Sequence, residues 1–389
     1  MSNYSTSLFI GETTGGVSQP VFWDSHTPIY NNKPPCALVT GSPGSGKTFF
    51  GLTIAAQSTI LGKTTVILDP KGDFISLGNL RSELGKFSLL NLGPHGAKST
   101  HGILDPFYLV DDPGEKLSLV LEVIDLFVGG LGDDQATAVS PIIKDVIDSD
   151  SPSLNAVVHA LRSTPDNPVA RNLGTKLDII ARMPGSRACF YGGGRRPELS
   201  LNEGITIITL IGMDLPADAE EARSSNNGRL ASGILFLITN FIKRMMHNDN
   251  TASPKTLIVD EAWSVISSKQ GADTIKSVAL LGRSKNLSMV LITQSPQHLA
   301  NLDIENTIST RFAFRTSTKE AENIILDMDL PEDVGFETVV TSLNNGECLM
   351  QDWMGRYSKV QISRWRRDWA EAFETNPLEK ALNEQRHQR

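Results

Sequence analysis

The stretch "CALVTGSPGSGKTFFGLTIAAQS", Cys36 to Ser58, constrains this chain more than any other. An apolar, β-prone run meets a glycine-rich turn, and apolar residues at helical spacing follow directly behind it. The turn "GSPGSGKT", Gly41–Thr48, fits G-x-x-x-x-G-K-[ST] in full. Small residues there let successive backbone N–H groups close around phosphate oxygens, and the next helix presents its positive end. The expected nucleotide-binding residues are Gly41, Ser42, Pro43, Gly44, Ser45, Gly46, Lys47, Thr48 and Phe49. Lys47 is expected to reach the β- and γ-phosphates, and the Thr48 hydroxyl to ligate Mg²⁺.

A site that handles a metal-bound nucleotide needs a second metal ligand and a group that activates water. "TLIVDEAW" supplies both types, because an apolar strand ends on Asp260 and Glu261. Asp260 is expected to hold Mg²⁺ through its water shell, and Glu261 to orient or deprotonate the attacking water. An acidic pair here favours a hydrolase that performs mechanical work over a small-molecule kinase. The sequence contains no N-K-x-D guanine-reading motif, so ATP is expected rather than GTP. "NLSMVLITQSPQ" reads as another buried strand that stops at Ser-Pro, with Gln294 at its tip. Ligands of open α/β sheets lie at the carboxyl ends of strands. If this strand joins the sheet, Gln294 can hydrogen-bond both γ-phosphate and water, acting as a sensor.

A positioned guanidinium stabilises charge on a transferring phosphoryl group. Arg283, just upstream of the sensor strand, is the first candidate and Arg311 in "RFAFR" the second, either acting across a subunit boundary. "DPKGDF" places a charged loop at a further strand end, where Asp69 or Asp73 reads as structural turn or functional group. "SRWRRDW" sets Arg364, Arg366 and Arg367 among Trp365 and Trp369, an arrangement that can stack on nucleic-acid bases. The spacing of Trp365, Trp369 and Phe373 equally fits an amphipathic docking helix.

Strands alternating with helices predict an α/β fold with a mostly parallel sheet. The expected units are an N-terminal hairpin and linker over 1–33, and a core over 34–110 and 201–365. Between the core halves, 111–200 reads as an all-helical insertion, with helix starts at Asp133 or Asp134 and at Ser151 or Ser153. A helical tail covers 366–389. The 36 basic and 44 acidic side chains give a net charge of −8, which supports no general nucleic-acid coat. Three scattered cysteines make neither a disulfide framework nor a zinc pattern, and point to a reducing, cytosolic setting. The longest apolar run, Gly233–Ile242, is about half of what a membrane-spanning helix needs.

In combination, "LFIGETTGGVSQPVFWD", the phosphate loop, "DPKGDF", "LIVDEAW", "GRSKNLSMVLITQS" and "GECLMQDWMGR" resemble the ATPase domain of the TraC/TrbE-type conjugation and type IV secretion ATPases. These belong to the HerA–FtsK superfamily, and the matching motifs span Leu8 to Ser363. The resemblance implies a RecA-like core with a helical insertion, use of ATP and Mg²⁺, and assembly into a ring, commonly a hexamer. It implies docking at the cytoplasmic base of a membrane channel, hence a cytoplasmic, membrane-peripheral location through partners. Family members usually carry a sizeable N-terminal domain; about 33 residues precede the first core strand here, so the partner-binding half is expected on a separate polypeptide or missing from a short form. The leading expectation is an ATP-hydrolysing motor of conjugation or secretion, with a DNA translocase or coupling ATPase of the same superfamily as the alternative. A nucleotide-binding regulatory module is disfavoured by the full set of catalytic residue types.

Overall fold

Short apolar runs bounded by Gly, Pro and Asp become strands throughout the chain. The computed structural model describes residues 7–190, 204–216, 219–247, 253–266, 269–302, 304–331, 335–364 and 366–373. Its strands are β1 Leu8–Thr13, β2 Pro20–Trp23, β3 Cys36–Thr40, β4 Thr64–Asp69, β5 Phe87–Asn91, β6 Ile205–Thr209, β7 Lys255–Val259, β8 Leu287–Ile292, β9 Ile308–Phe314, β10 Glu347–Gln351 and β11 Tyr357–Ile362. All join one sheet in the order β2-β1-β11-β10-β9-β3-β8-β7-β4-β6-β5. From β9 to β5 every neighbouring pair is parallel, while β9, β10, β11, β1 and β2 pair antiparallel. The fold is therefore the expected α/β type with a mostly parallel sheet.

Both faces of the parallel part are covered, which is why its strands read as unbroken apolar runs. Alternate residues separate into two cores. Ala37, Val39, Ile67, Ile258, Val290 and Ile292 pack with Phe50, Leu52 and Ile54 of the helix Lys47–Ile60. Leu38, Leu68, Leu257, Val259, Met289 and Leu291 face the opposite way, towards the helices Asn226–His247 and Lys269–Leu281. The region expected to be all-helical forms four helices, Pro113–Val128, Asp133–Ile147, Leu154–Arg162 and Pro168–Ala181. Their apolar faces (Val120, Val123, Val139, Ile143, Leu161, Leu177) run continuously into the second core. Residues 191–200 of that region lie outside the described residues.

One expected helix start needs adjustment, and another is settled between its two alternatives. The helix Asp133–Ile147 is capped by Gly132, whose N–H donates to Gln135 Oε1 at 3.2 Å, so Asp133 and Asp134 occupy its first turn instead. Ser153 is the cap of the next helix, its hydroxyl accepting from Ala156 N at 3.1 Å. β5 had no clear sequence signal, because this edge strand is only half-buried.

The N-terminal hairpin closes on the last strand, with Gly11 opposite Ile362. The loop after β2 then reaches the amino edge of the parallel strands. There Asp24, Ser25 and His26 surround the ammonium of Lys63, which donates to Asp24 Oδ1 at 3.0 Å and lies 3.2 Å from His26 Nδ1. His26 Nε2 lies 3.1 Å from the Lys255 carbonyl at the start of β7. Lys63 and His26 are each 1% exposed, and burial together with the Lys63 charge pushes the imidazole pKa down to about 4. At the C-terminus the helix Arg367–Ala372 packs Trp369 and Phe373 into the first core. Trp365 and the rest of the expected tail, 374–389, lie outside the described residues. No helix among the described residues is long and apolar enough to cross a membrane.

Candidate functional site

The loop after β3 adopts a conformation that only its glycines permit. Gly46 caps the helix Lys47–Ile60 at φ +109°, and a Cβ there would sit 3.1 Å from Gly346 Cα. A Cβ on Gly41 would stand 2.7 Å from Phe314 Cβ. Protein atoms thus crowd both positions and leave no room for a side chain, while Gly44, at φ +72°, has no atom within 4 Å of where its Cβ would stand. Gly346 N–H donates to the Ser45 carbonyl at 3.0 Å, so the loop leading into β10 holds the outer side of the turn. Ser45 Oγ is buried and has no hydrogen-bond partner among the described residues. Lys47 folds back, its ammonium donating to the carbonyls of Gly41 at 2.7 Å and Ser42 at 2.9 Å. Burial lowers its pKa despite the nearby Glu261 and Asp260.

The strand order brings the other expected groups to this loop. β8 lies directly beside β3 and β7 beside β8, so Gln294, Asp260 and Glu261 leave the sheet at the same carboxyl edge. A cavity of about 560 Å³ is lined there by Gly44, Gly46, Lys47, Thr48, Asp260, Glu261 and Gln294, among others. Asp260 is 4% exposed, and burial, with Asp69, Glu261 and Asp73 nearby, raises its pKa to about 7. A carboxylate crowded in this way gains from a divalent cation. Among the described residues no group of three or more His, Cys, Asp or Glu is placed to hold a metal unaided. Mg²⁺ would therefore be held by Thr48 and Asp260 together with nucleotide phosphates, the usual mode for this ion.

Glu261 has the left-handed backbone angle φ +46°, unusual for a non-glycine residue. Its carboxylate accepts from Lys71 Nζ on one oxygen and from Trp263 Nε1, at 2.6 Å, on the other. Burial alone would raise its pKa, but these two donors bring it below the ordinary glutamate value. Asp69 turns away from the cavity and organises the loop that carries Lys71. It accepts from the N–H groups of Gly72 at 2.8 Å, Asp73 at 3.1 Å and Phe74 at 2.8 Å, while Asp73 itself lines the cavity. Of the two readings of "DPKGDF", Asp69 thus takes the structural one.

Neither candidate arginine enters its own chain's cavity. Arg283 lies at the amino end of β8, where its guanidinium donates to the Asn32 carbonyl at 3.3 Å. With β8 six residues long, that is roughly 20 Å from Gln294. Arg311 pairs with Asp327 at 2.9 Å and lines a separate cavity of about 290 Å³ under the loop that follows Gln294. Sequence reading missed Lys71, Asn345, Arg364 and Phe373, all of which line the larger cavity. Lys71 was visible in "DPKGDF"; Arg364 and Phe373 stood out in the sequence only as parts of a base-stacking motif and a docking helix, and no local pattern marks Asn345. The possible nucleic-acid motif is differently used. Trp369 is 4% exposed, Arg366 pairs with Glu83 at 2.6 Å and Arg367 with Glu371 at 3.0 Å.

VirB4 of Thermoanaerobacter pseudethanolicus superposes with a TM-score of 0.71 at 15% identity, covering 94% of this chain and 98% of that one. The fold expected from the resemblance to secretion ATPases is thus the fold of VirB4. In sequence, the uncharacterized protein YddE of Bacillus subtilis (strain 168) is 25% identical over 362 residues, which covers 88% of this chain. The chain spans 43% of the length of YddE. Residues 29–373 match the profile of the AAA-like domain, and the chain belongs to the AAA-like domain family.

Proposed function

We propose that this chain is an ATP-hydrolysing motor of a conjugative transfer or type IV secretion apparatus. One observation carries the reading: the strand order delivers Lys47, Thr48, Asp260, Glu261 and Gln294 to a single cavity at the carboxyl edge of the sheet. The VirB4 fold and the AAA-like family support the choice of apparatus. The functional unit is an oligomeric ring, as a hexamer, at the cytoplasmic face of a membrane channel that partner proteins form. DNA is one substrate such a machine would move.

In the proposed mechanism Thr48 and Asp260 would hold Mg²⁺, which would supply positive charge against the phosphates. Lys47 leaves the carbonyls of Gly41 and Ser42 for the β- and γ-phosphate oxygens. Glu261 accepts a proton from the water whose oxygen attacks the γ-phosphorus, and the bond to the bridging oxygen breaks, releasing ADP. Gln294 hydrogen-bonds the γ-phosphate and the water, so its contacts change when phosphate leaves. Arg283, remote from its own cavity, would act at a neighbour's.

The test compares ATP binding and turnover in purified full-length variants. Lys47→Ala is expected to abolish ATP binding. Glu261→Gln is expected to bind ATP with affinity within a few-fold of wild type while turnover falls by roughly 10²-fold or more, the usual range for a lost general base. Near-normal hydrolysis by Glu261→Gln, or unchanged affinity in Lys47→Ala, would remove the assignment.

A further inference from the structure

Three arginines enter or border the C-terminal helix, and they are not equivalent. Arg366 grips Glu83 through two hydrogen bonds, at 2.6 and 2.8 Å, and also meets Asp368. Arg367 is paired with Glu371. Arg364 makes no ion pair among the described residues. Its guanidinium carbon instead lies 5.2 Å from the ring centroid of Phe49, the residue directly after Thr48. Phe49 in turn meets Phe373 edge-on, with centroids 5.9 Å apart, and Phe373 is 1% exposed. The aromatic ring is therefore held in place from behind by the core, with an exposed planar cation on it.

The chemistry of the cavity divides along the strand order. Lys71, Asp260, Glu261 and Gln294 come from the ends of β4, β7 and β8, on one side of the phosphate loop. Asn345 and Arg364 adjoin β10 and β11, on the other side. The first wall is charged and suits phosphate and metal. The second offers flat π surface and a guanidinium, which suit an aromatic heterocycle.

We propose that Arg364 and Phe49 form the base-recognition platform of this site, stacking the purine of the bound nucleotide. The proposal rests on the reading of the cavity as an ATP site and deepens it. The C-terminal segment thereby becomes part of the nucleotide pocket, held two residues beyond Arg364 by the Arg366–Glu83 pair.

Isothermal titration of the full chain with Mg²⁺-ATP and with Mg²⁺-tripolyphosphate separates base recognition from phosphate recognition. Arg364→Ala is expected to weaken ATP binding by roughly tenfold, the scale of one partly desolvated cation–π contact. Tripolyphosphate affinity should stay within about twofold of wild type on the same reasoning. Arg364→Lys, which keeps charge but loses the plane, should behave towards ATP like the alanine variant. An equal loss for ATP and tripolyphosphate would make Arg364 a phosphate ligand, and full rescue by lysine would make it a point charge; either overturns the proposal, as does unchanged ATP affinity. Wild-type protein that binds no ATP would sink the ATP-site reading itself, a result distinct from any difference between variants.

Discussion

At the residue scale, the site depends on groups that spend their hydrogen-bonding capacity on backbone. Asp69 is the clearest case, since its two oxygens accept from three successive N–H groups and fix the loop that presents Lys71 and Asp73. Asp69 is fully buried, so losing the carboxylate leaves those donors without partners in a dry place. Asp69→Ala is expected to lower unfolding free energy by roughly 2–4 kcal/mol, with Asp69→Asn costing less. Urea titration monitored by tryptophan fluorescence measures both, and an alanine variant within 0.5 kcal/mol of wild type would contradict the account. Residues of this scale were legible where they stand at fixed offsets from a strand end. Lys47, Thr48, Asp260, Glu261 and Gln294 all do. Arg364 and Phe373 were not, because their place beside Phe49 is set by the path of β11 and the helix Arg367–Ala372 across the fold. Lys71 was in view, but its contact with Glu261 exists only because β4 and β7 are neighbours.

At the scale of elements, two ends of the parallel sheet do different work. The carboxyl edge carries the cavity, while the amino edge is locked to the N-terminal hairpin by Asp24, His26 and Lys63. His26 is neutral in the folded state at neutral pH, because burial and Lys63 oppose its protonation, whereas in the unfolded chain it titrates near 6.5. A group whose folded pKa is depressed stabilises fully above its unfolded pKa and loses that contribution as pH falls through the folded value. The difference in unfolding free energy between wild type and His26→Gln should therefore shrink by roughly 3 kcal/mol as pH falls from about 6.5 to about 4. Denaturant titrations at several pH values test this, and a difference that stays constant would show His26 to be insensitive to its surroundings. The helices and most strands were readable from period and punctuation. β5 escaped because an edge strand with exposed Ser88 and Leu89 has no buried run to betray it. The helical region 111–200 was recognisable by its spacing, but not its partner: the same apolar stripes that marked four helices also cover the sheet.

At the scale of the whole molecule, the question is what one chain leaves incomplete. Its cavity is lined by the phosphate loop, an acidic pair and Gln294, while Arg283 lies at the opposite edge of β8. In the proposed ring Arg283 serves the adjacent subunit. Mixing Arg283→Ala chains with Glu261→Gln chains should then yield activity that neither has alone, because some interfaces join an intact cavity to an intact arginine. A mixture no more active than its two components, in which no chain carries both groups, would return Arg283 to a local role; mass measurement alongside gives the size of the assembly. The cavity is lined by Lys47, Lys71 and Arg364 together with Asp73, Asp260 and Glu261, three formal positive charges and three negative. A polyphosphate approaching from solvent therefore meets little net local field, and its capture is governed by exchange of partners inside the pocket more than by long-range attraction. Arrival should be only weakly sensitive to ionic strength, and selectivity for nucleotide over other anions resides in the steps after entry.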